Sequence, residues 1–149
     1  YVMVFGNDFT STSWYREPAV GTSVTLTPGL TDSDTSGFPM EEITAMVSGG
    51  PRLVENGAIC TTLEPGFQEA RFTSAVTSRT ALGKLADGKL VIASTGSASI
   101  QQLRELMLQL GCVEAVNLDG GGSTALAYQG KLIRSPGREL TTTLQIFTH

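Results

Sequence analysis

The feature that most constrains the fold is a run of three glycines after an aspartate. The run reads Asn-Leu-Asp-Gly-Gly-Gly-Ser over residues 117–123 and follows an apolar stretch of strand composition, residues 112–118. Consecutive glycines permit positive φ angles and a backbone approach that side chains would block. Spacing alone leaves two interpretations open: a nest of N–H groups that binds an anion, or a wide turn braced by Asp119. It is not the spacing of a P-loop, a dinucleotide fingerprint or a nucleophile elbow.

The clearest helix precedes this strand. Residues 100–110 place Ile100, Leu103, Met107 and Leu110 on one face, Ser97 or Ser99 can cap the start, and Gly111 ends the helix. The helix and the strand after it belong to a strand-helix-strand unit. We therefore expect Asp119 at the end of a strand, where such units often bind ligands.

Other segments predict mainly antiparallel strands. A hairpin is expected over residues 78–93 with an Asp87-Gly88 turn and Arg79 in its first strand, and a short strand at 52–54 precedes an Asn56-Gly57 turn. Strands are also predicted at 20–27, 124–128, 131–134 and 140–147, with a short helix at 39–46. The predicted fold class is α+β: one domain over residues 1–149, with a twisted mixed or largely antiparallel sheet and one main helix on a face.

Composition excludes several functions. Only 16% of the 149 residues are charged and the net charge is -4, so no basic stripe is available to follow a nucleic acid backbone. No apolar run approaches the ~18 residues of a membrane span. Cys60 and Cys112 are too far apart for a zinc motif. They form either a disulfide or, as we favour, two unpaired small hydrophobes.

The single histidine, His149, is the last residue. Catalytic triads, Cys-His pairs and histidine-rich zinc sites are therefore not expected, and acid-base chemistry is left to carboxylates. The acidic segment 32–37 resembles the opening of an EF-hand loop, but position twelve is Ile43 rather than glutamate. We predict a solvated loop there, and no metal or cofactor.

Residues 117–124 closely resemble the signature of the phosphodiester glycosidase family. Three more segments match that family in the same order: 48–57, with Ser-Gly-Gly-Pro and Asn-Gly; 78–83, with Arg79; and 135–138, Ser-Pro-Gly-Arg. The resemblance covers about residues 45–147. Family members usually carry a further segment upstream, with an Asn-Gly pair and an aromatic residue, that has no counterpart here. We therefore expect that an upstream segment or a second chain completes the domain.

The resemblance implies hydrolysis of a sugar, such as N-acetylglucosamine, linked through its anomeric carbon to a phosphodiester. It implies catalytic roles for Asp119 and Arg79. It also implies an exported or cell-surface location, which the low charge and the many Ser and Thr residues favour as well. The implied substrate-binding residues are Asn117, Gly120, Gly121, Gly122, Ser123, Thr124, Arg138, Ser48, Gly49 and Gly50.

Two other functions stay open on the sequence. The same pocket in a non-catalytic module would hold a sugar phosphate or polysaccharide without cleaving it. An Asp-Arg pair argues against such a module, because pure sugar-binding sites more often rely on aromatic platforms and Trp14 is the only tryptophan. Alternatively, the chain is a structural fragment that assembles with another polypeptide.

Overall fold

The computed structural model describes residues 16–25, 30–31, 37–38 and 43–147, and the chain divides into two compact units, Tyr1–Ala45 and Met46–His149. In the first unit, strand β1 (Leu30–Thr31) pairs antiparallel with β2 (Gly37–Phe38). Residues 20–25 form no strand and residues 43–46 no helix, so those predictions are wrong for the described residues. The acidic loop and the start of the predicted helix lie outside the described residues.

The second unit is built on a five-stranded sheet. Its strands are β3 (Arg52–Glu55), β4 (Ala58–Ile59), β5 (Thr77–Leu85), β6 (Leu90–Ala98) and β7 (Cys112–Asn117), in the order β4-β3-β7-β5-β6. Every neighbouring pair is antiparallel, and the predicted turns join β3 to β4 and β5 to β6. Glycine suits both turns because Gly57 and Gly88 have φ angles of 74° and 87°.

Two helices accompany the sheet: α1 (Ala70–Thr73) and α2 (Ile100–Gln109). Helix α2 begins at a capping box in which the Ser99 hydroxyl accepts from the Gln102 amide. It packs on one face of the sheet around a core of Leu53, Val54, Ala81, Ala93, Ile100, Leu103, Met107, Cys112 and Ala115. The α+β prediction is confirmed.

Gly83 lets α2 approach the sheet closely. A Cβ at this position would lie 2.7 Å from the Met107 Cε and 2.5 Å from the Cys112 Sγ. A side chain at residue 83 would therefore force the Met107 and Cys112 side chains to shift.

Beyond β7 the chain forms a 3-10 turn (Gly121–Ser123) and a hairpin of β8 (Leu126–Tyr128) and β9 (Lys131–Arg134). Residues 140–147 have no strand, so that prediction is wrong. Both cysteines are unbridged; Cys112 is buried and Cys60 is half-buried. Within residues 16–25, 30–31, 37–38 and 43–147, no helix has the length and apolar composition that a membrane span needs.

Candidate active site

The candidate site begins where β7 leaves the sheet. The Asn117 amide donates to the Pro51 carbonyl at 3.1 Å, and the Leu118 amide donates to the Thr80 carbonyl at 2.8 Å. The Asn117 side chain also donates to the Gly50 carbonyl at 2.7 Å. The chain is thus held on both sides through Leu118, and Asp119 is the second residue beyond β7.

Gly120 lets the chain pass the end of β5. A Cβ on Gly120 would lie 2.7 Å from the Ser78 carbonyl oxygen, closer than side chains approach backbone. The next residue, Gly121, has a φ of 58° in the left-handed region. Two consecutive positions therefore favour glycine for different reasons, one a close approach and the other a backbone angle.

The glycine loop satisfies some of its own amides. The amides of Ser123 and Thr124 donate to the carbonyls of Gly120 and Gly121, both at 3.1 Å. Within the described part of the chain, the amides of Gly121 and Gly122 have no recorded acceptor. The predicted turn therefore forms, while the prediction that the loop binds an anion stays a prediction.

Asp119 is held by three groups. Its Oδ1 accepts from the Gly120 amide at 2.9 Å, and its Oδ2 accepts from the Arg138 Nη2 at 3.1 Å. The Ser123 hydroxyl lowers the pKa of Asp119 most, and the Gly120 amide and Arg138 lower it further, against a smaller opposing effect of partial burial. The side chain is 75% exposed. A charged carboxylate is therefore fixed in orientation and open to solvent.

Arg138 reaches this carboxylate from the segment after β9. The Gly137 amide donates to the Gly122 carbonyl at 2.8 Å, which ties that segment to the glycine loop. The Arg138 Nε donates to the Ser123 hydroxyl at 2.8 Å, and its Nη2 contacts the same oxygen. Its side chain is 64% exposed, so Arg138 joins Asp119 and Ser123 at an open surface.

Arg79 has a different setting. It is 3% exposed, and its guanidinium donates to the carbonyls of Ala98 at 3.1 Å, Arg71 at 2.7 Å and Ala75 at 2.8 Å. Burial lowers the pKa of Arg79. The guanidinium thus joins β5 to the end of β6 and to α1. Its Cα lies 3.7 Å from a Cβ built on Gly120, so the Arg79 backbone borders the loop while its side chain binds elsewhere.

The other predicted residues divide into buried and exposed groups. Asn117 and Thr124 are 3% and 1% exposed, and the Asn117 Oδ1 and Thr124 Oγ1 have no hydrogen-bond partner among the described residues. Gly49 and Gly50 pack closely, since a Cβ on Gly49 would lie 2.7 Å from the Asn117 carbonyl oxygen and one on Gly50 would overlap the Phe67 ring.

Ser48 is exposed. With Leu118 it borders an open groove of about 380 Å³, whose other lining residues are Met46, Val47 and Thr142–Leu144. The groove therefore begins one residue before Asp119.

Sequence reasoning missed Arg134 and Ser78. The Arg134 Nη2 donates to the Ser78 hydroxyl at 2.7 Å, beside the point where Gly120 passes β5. The β8–β9 hairpin signal placed Arg134 at a strand end, but only the packed structure brings it to β5. Across the described ranges, no three His, Cys, Asp or Glu residues are grouped so that they could hold a metal ion.

Comparison with known proteins covers nearly the whole chain. The family model described as phosphodiester glycosidase matches residues 4–147. Human N-acetylglucosamine-1-phosphodiester alpha-N-acetylglucosaminidase is 28% identical over 106 residues, which are 61% of this chain and 21% of the human protein. This chain spans about a fifth of the length of the curated mammalian relatives it matches.

Two solved structures are also similar. The catalytic domain of the zebrafish N-acetylglucosamine-1-phosphodiester alpha-N-acetylglucosaminidase, auto-inhibited by its pro-peptide, has a TM-score of 0.50 and 25% identity. The similarity covers 70% of this chain and 37% of that one. A hypothetical protein from Synechocystis has the same TM-score and 34% identity, over 59% of this chain and 18% of that one. The chain belongs to the phosphodiester glycosidase family.

Proposed function

We propose that this chain contributes the active site of a glycosidase that cleaves a sugar from a phosphodiester attached to the anomeric carbon. Water adds to that carbon, the bond from it to the bridging oxygen breaks, and a phosphate monoester leaves with that oxygen and its electron pair. One proton is released. An N-acetylglucosamine-like sugar is the favoured substrate, since the human and zebrafish relatives are named for that activity.

The observation that carries the proposal is the setting of Asp119. The breaking bond builds positive charge on the sugar ring, and a nearby carboxylate stabilises that charge, attacks the carbon or takes a proton from water. Asp119 stays ionised because Ser123, the Gly120 amide and Arg138 lower its pKa. Its open side faces solvent, so a ring can approach a charge that is already oriented.

The glycine loop supplies donors for the leaving phosphate. The amides of Gly121 and Gly122 are the donors without recorded acceptors, and backbone N–H groups of this kind bind phosphate oxygens. Arg138 is 64% exposed, so its guanidinium is accessible to a ligand oxygen while it holds Asp119. A phosphate monoester is a stable anion and leaves without a strong general acid, which suits a site without histidine.

The buried residues support this arrangement. Asn117 fixes the strand end through Gly50, and Ser48 with the groove beside Leu118 lies where part of the substrate can extend. The catalytic role predicted for Arg79 stays a prediction. Its three bonds to backbone carbonyls favour an indirect role, in which Arg79 positions the end of β5 against Gly120.

The test is the Asp119→Asn variant, measured by release of free N-acetylglucosamine from a diester of N-acetylglucosamine 1-phosphate. We expect turnover to fall about a thousandfold, ~4 kcal/mol of barrier, because the amide keeps the shape and loses the charge. The thermal midpoint should change little, since the side chain is mostly exposed. The matched control is Asp87→Asn, an exposed carboxylate paired with Lys89 in the β5–β6 turn.

The parent chain is assayed alone and mixed with the expected upstream segment, and the variants are compared in the form that releases sugar. Turnover within a few-fold of the parent in the Asn variant would contradict a catalytic Asp119. If a substrate analogue binds the parent but no sugar is released, the chain is instead a binding module of the same fold.

A further inference from the structure

The charged side chains of the candidate site do not by themselves supply an unpaired positive charge to bind a phosphodiester. The Asp119 Oδ2 and the Arg138 Nη2 are 3.1 Å apart, so the two charges neutralise each other. Arg79 is buried and donates to carbonyl oxygens. A phosphodiester carries one negative charge at neutral pH. If its binding relied only on the glycine amides and on an Arg138 guanidinium already paired with Asp119, a neutral glycoside would compete with it on nearly equal terms.

Arg134 is a cation beside the start of β5, and no carboxylate in the described part of the chain pairs with it. It is half-buried at the end of β9, and its Nη2 donates to the Ser78 hydroxyl at 2.7 Å. The Ser78 hydroxyl in turn donates to the Gly96 carbonyl at 2.9 Å. Among the described carboxylates, none lies within 4.0 Å of the Arg134 guanidinium. Its recorded partner is therefore a neutral hydroxyl.

Ser78 connects Arg134 to the active-site loop. Its carbonyl oxygen lies 2.7 Å from a Cβ built on Gly120, and its hydroxyl accepts from Arg134. The Arg134 guanidinium thus contacts Ser78, the residue of β5 that the glycine loop passes at Gly120. Anchoring by Ser78 restricts a long side chain, so less conformational entropy is lost when a ligand binds.

We infer that Arg134 selects the anionic phosphodiester over neutral glycosides by pairing its guanidinium with the phosphate of the substrate. This inference rests on the proposed function and assigns the phosphate charge to a residue outside the family-like motifs. A planar guanidinium matches two phosphate oxygens, and partial burial strengthens the attraction relative to an exposed cation. Arg138 then serves mainly Asp119, and Arg134 serves the leaving group.

The experiment measures binding apart from turnover. The probe is a phosphonate monoester in which a methylene replaces the anomeric oxygen of the N-acetylglucosamine phosphodiester, so that it keeps one negative charge and cannot be cleaved. The comparison ligand is the neutral methyl glycoside. The parent should bind the phosphonate at least tenfold more tightly. In Arg134→Gln the phosphonate Kd should rise about tenfold while the methyl glycoside Kd stays unchanged.

Lys131→Gln is the matched control, because it removes one positive charge from the exposed start of the same strand and should leave both Kd values unchanged. Ser78→Ala removes the anchor and keeps the cation, so the phosphonate Kd should rise a few-fold. This second variant carries the test if Arg134→Gln does not fold, as judged by its thermal melt.

The outcomes separate this inference from the proposed function. If the parent prefers the phosphonate, Arg134→Gln loses the preference and no sugar is released from a true diester, Arg134 is a phosphate-binding residue and the hydrolase proposal fails. If Arg134→Gln or a folded Ser78→Ala binds the phosphonate as the parent does, or the parent shows no preference, the inference is overturned even in an active enzyme.

Discussion

Arg79 and Arg138 both have a guanidinium group, but they lie in two contrasting regions of the molecule. Around Arg79, where β5 meets α1 and the end of β6, the side chain is nearly inaccessible and binds backbone carbonyls. Around Arg138, at the glycine loop, it is mostly exposed and binds a carboxylate and a hydroxyl. A buried guanidinium with carbonyl partners stabilises the fold, whereas an exposed one beside an oriented carboxylate is available for chemistry. Exposure and partner type, rather than residue type, separate the two roles.

The largest effect that would test this contrast is on stability at Arg79. Arg79→Met should lower the free energy of unfolding by about 3 kcal/mol, because it leaves carbonyls in a buried region without their charged donor. The thermal midpoint should fall by about 10 °C. Lys84→Met, at an exposed position of the same strand, is the control and should change the midpoint little.

Arg79→Lys sharpens the same test. A lysine cannot reproduce the fork that spans three carbonyls, so most of the stability loss should persist. If the thermal midpoint of the variant is unchanged and its turnover falls strongly, Arg79 lies in the ligand site, and the two arginines do not differ in role.

The next effect is on turnover at Arg138. Arg138→Gln should reduce kcat/KM by tenfold to a hundredfold, roughly 1.4 to 3 kcal/mol, because Asp119 loses a partner and the site loses a donor. Unfolding should change by less than about 1 kcal/mol, as is usual for an exposed ion pair. Arg71→Gln removes another exposed guanidinium, paired with Glu69 at 2.8 Å, and should alter neither quantity. Lost stability with normal turnover would reverse the assignment of the two regions.

The smallest effect is a shift in pH dependence at Ser123. Its hydroxyl is the main cause of the lowered pKa of Asp119, so Ser123→Ala should raise that pKa toward the ordinary aspartate value. If Asp119 acts as the proposed carboxylate, activity is lost as pH falls through its pKa. The acid limb of the kcat/KM profile should therefore move to higher pH in the variant.

The same sign applies to stability. A depressed carboxyl pKa in the folded state stabilises the protein above the unfolded pKa, and this contribution is lost as pH falls through the folded value. Because the Asp119 side chain is 75% exposed, solvent screening keeps the contribution small. Ser97→Ala, at an exposed position of β6, should leave the pH profile unchanged, and an unchanged profile in Ser123→Ala would show that this hydroxyl does not tune the carboxylate.

Local patterns in the sequence predicted the elements that make the sheet and its helix. Period 3.6 and a capping serine specify α2, and Asp-Gly and Asn-Gly pairs specify the two hairpin turns. The prediction failed at residues 140–147, where alternating apolar residues form no strand. Strand formation there depends on a partner edge, and an alternating pattern alone carries no information about one.

Local sequence was enough to predict that Asp119 follows a strand and precedes a glycine loop, because strand composition and glycine spacing are properties of neighbouring residues. Which guanidinium meets that carboxylate was decided only by the tertiary structure. Side chains alternate along a strand, so Arg79 shares the face of Ala81 toward the core, while Arg138, 19 residues after Asp119, is brought to it by the Gly137 to Gly122 backbone bond. Whether a strand side chain faces the core or the solvent is decided when the sheet packs against its helix. A contact between distant segments depends on the same packing.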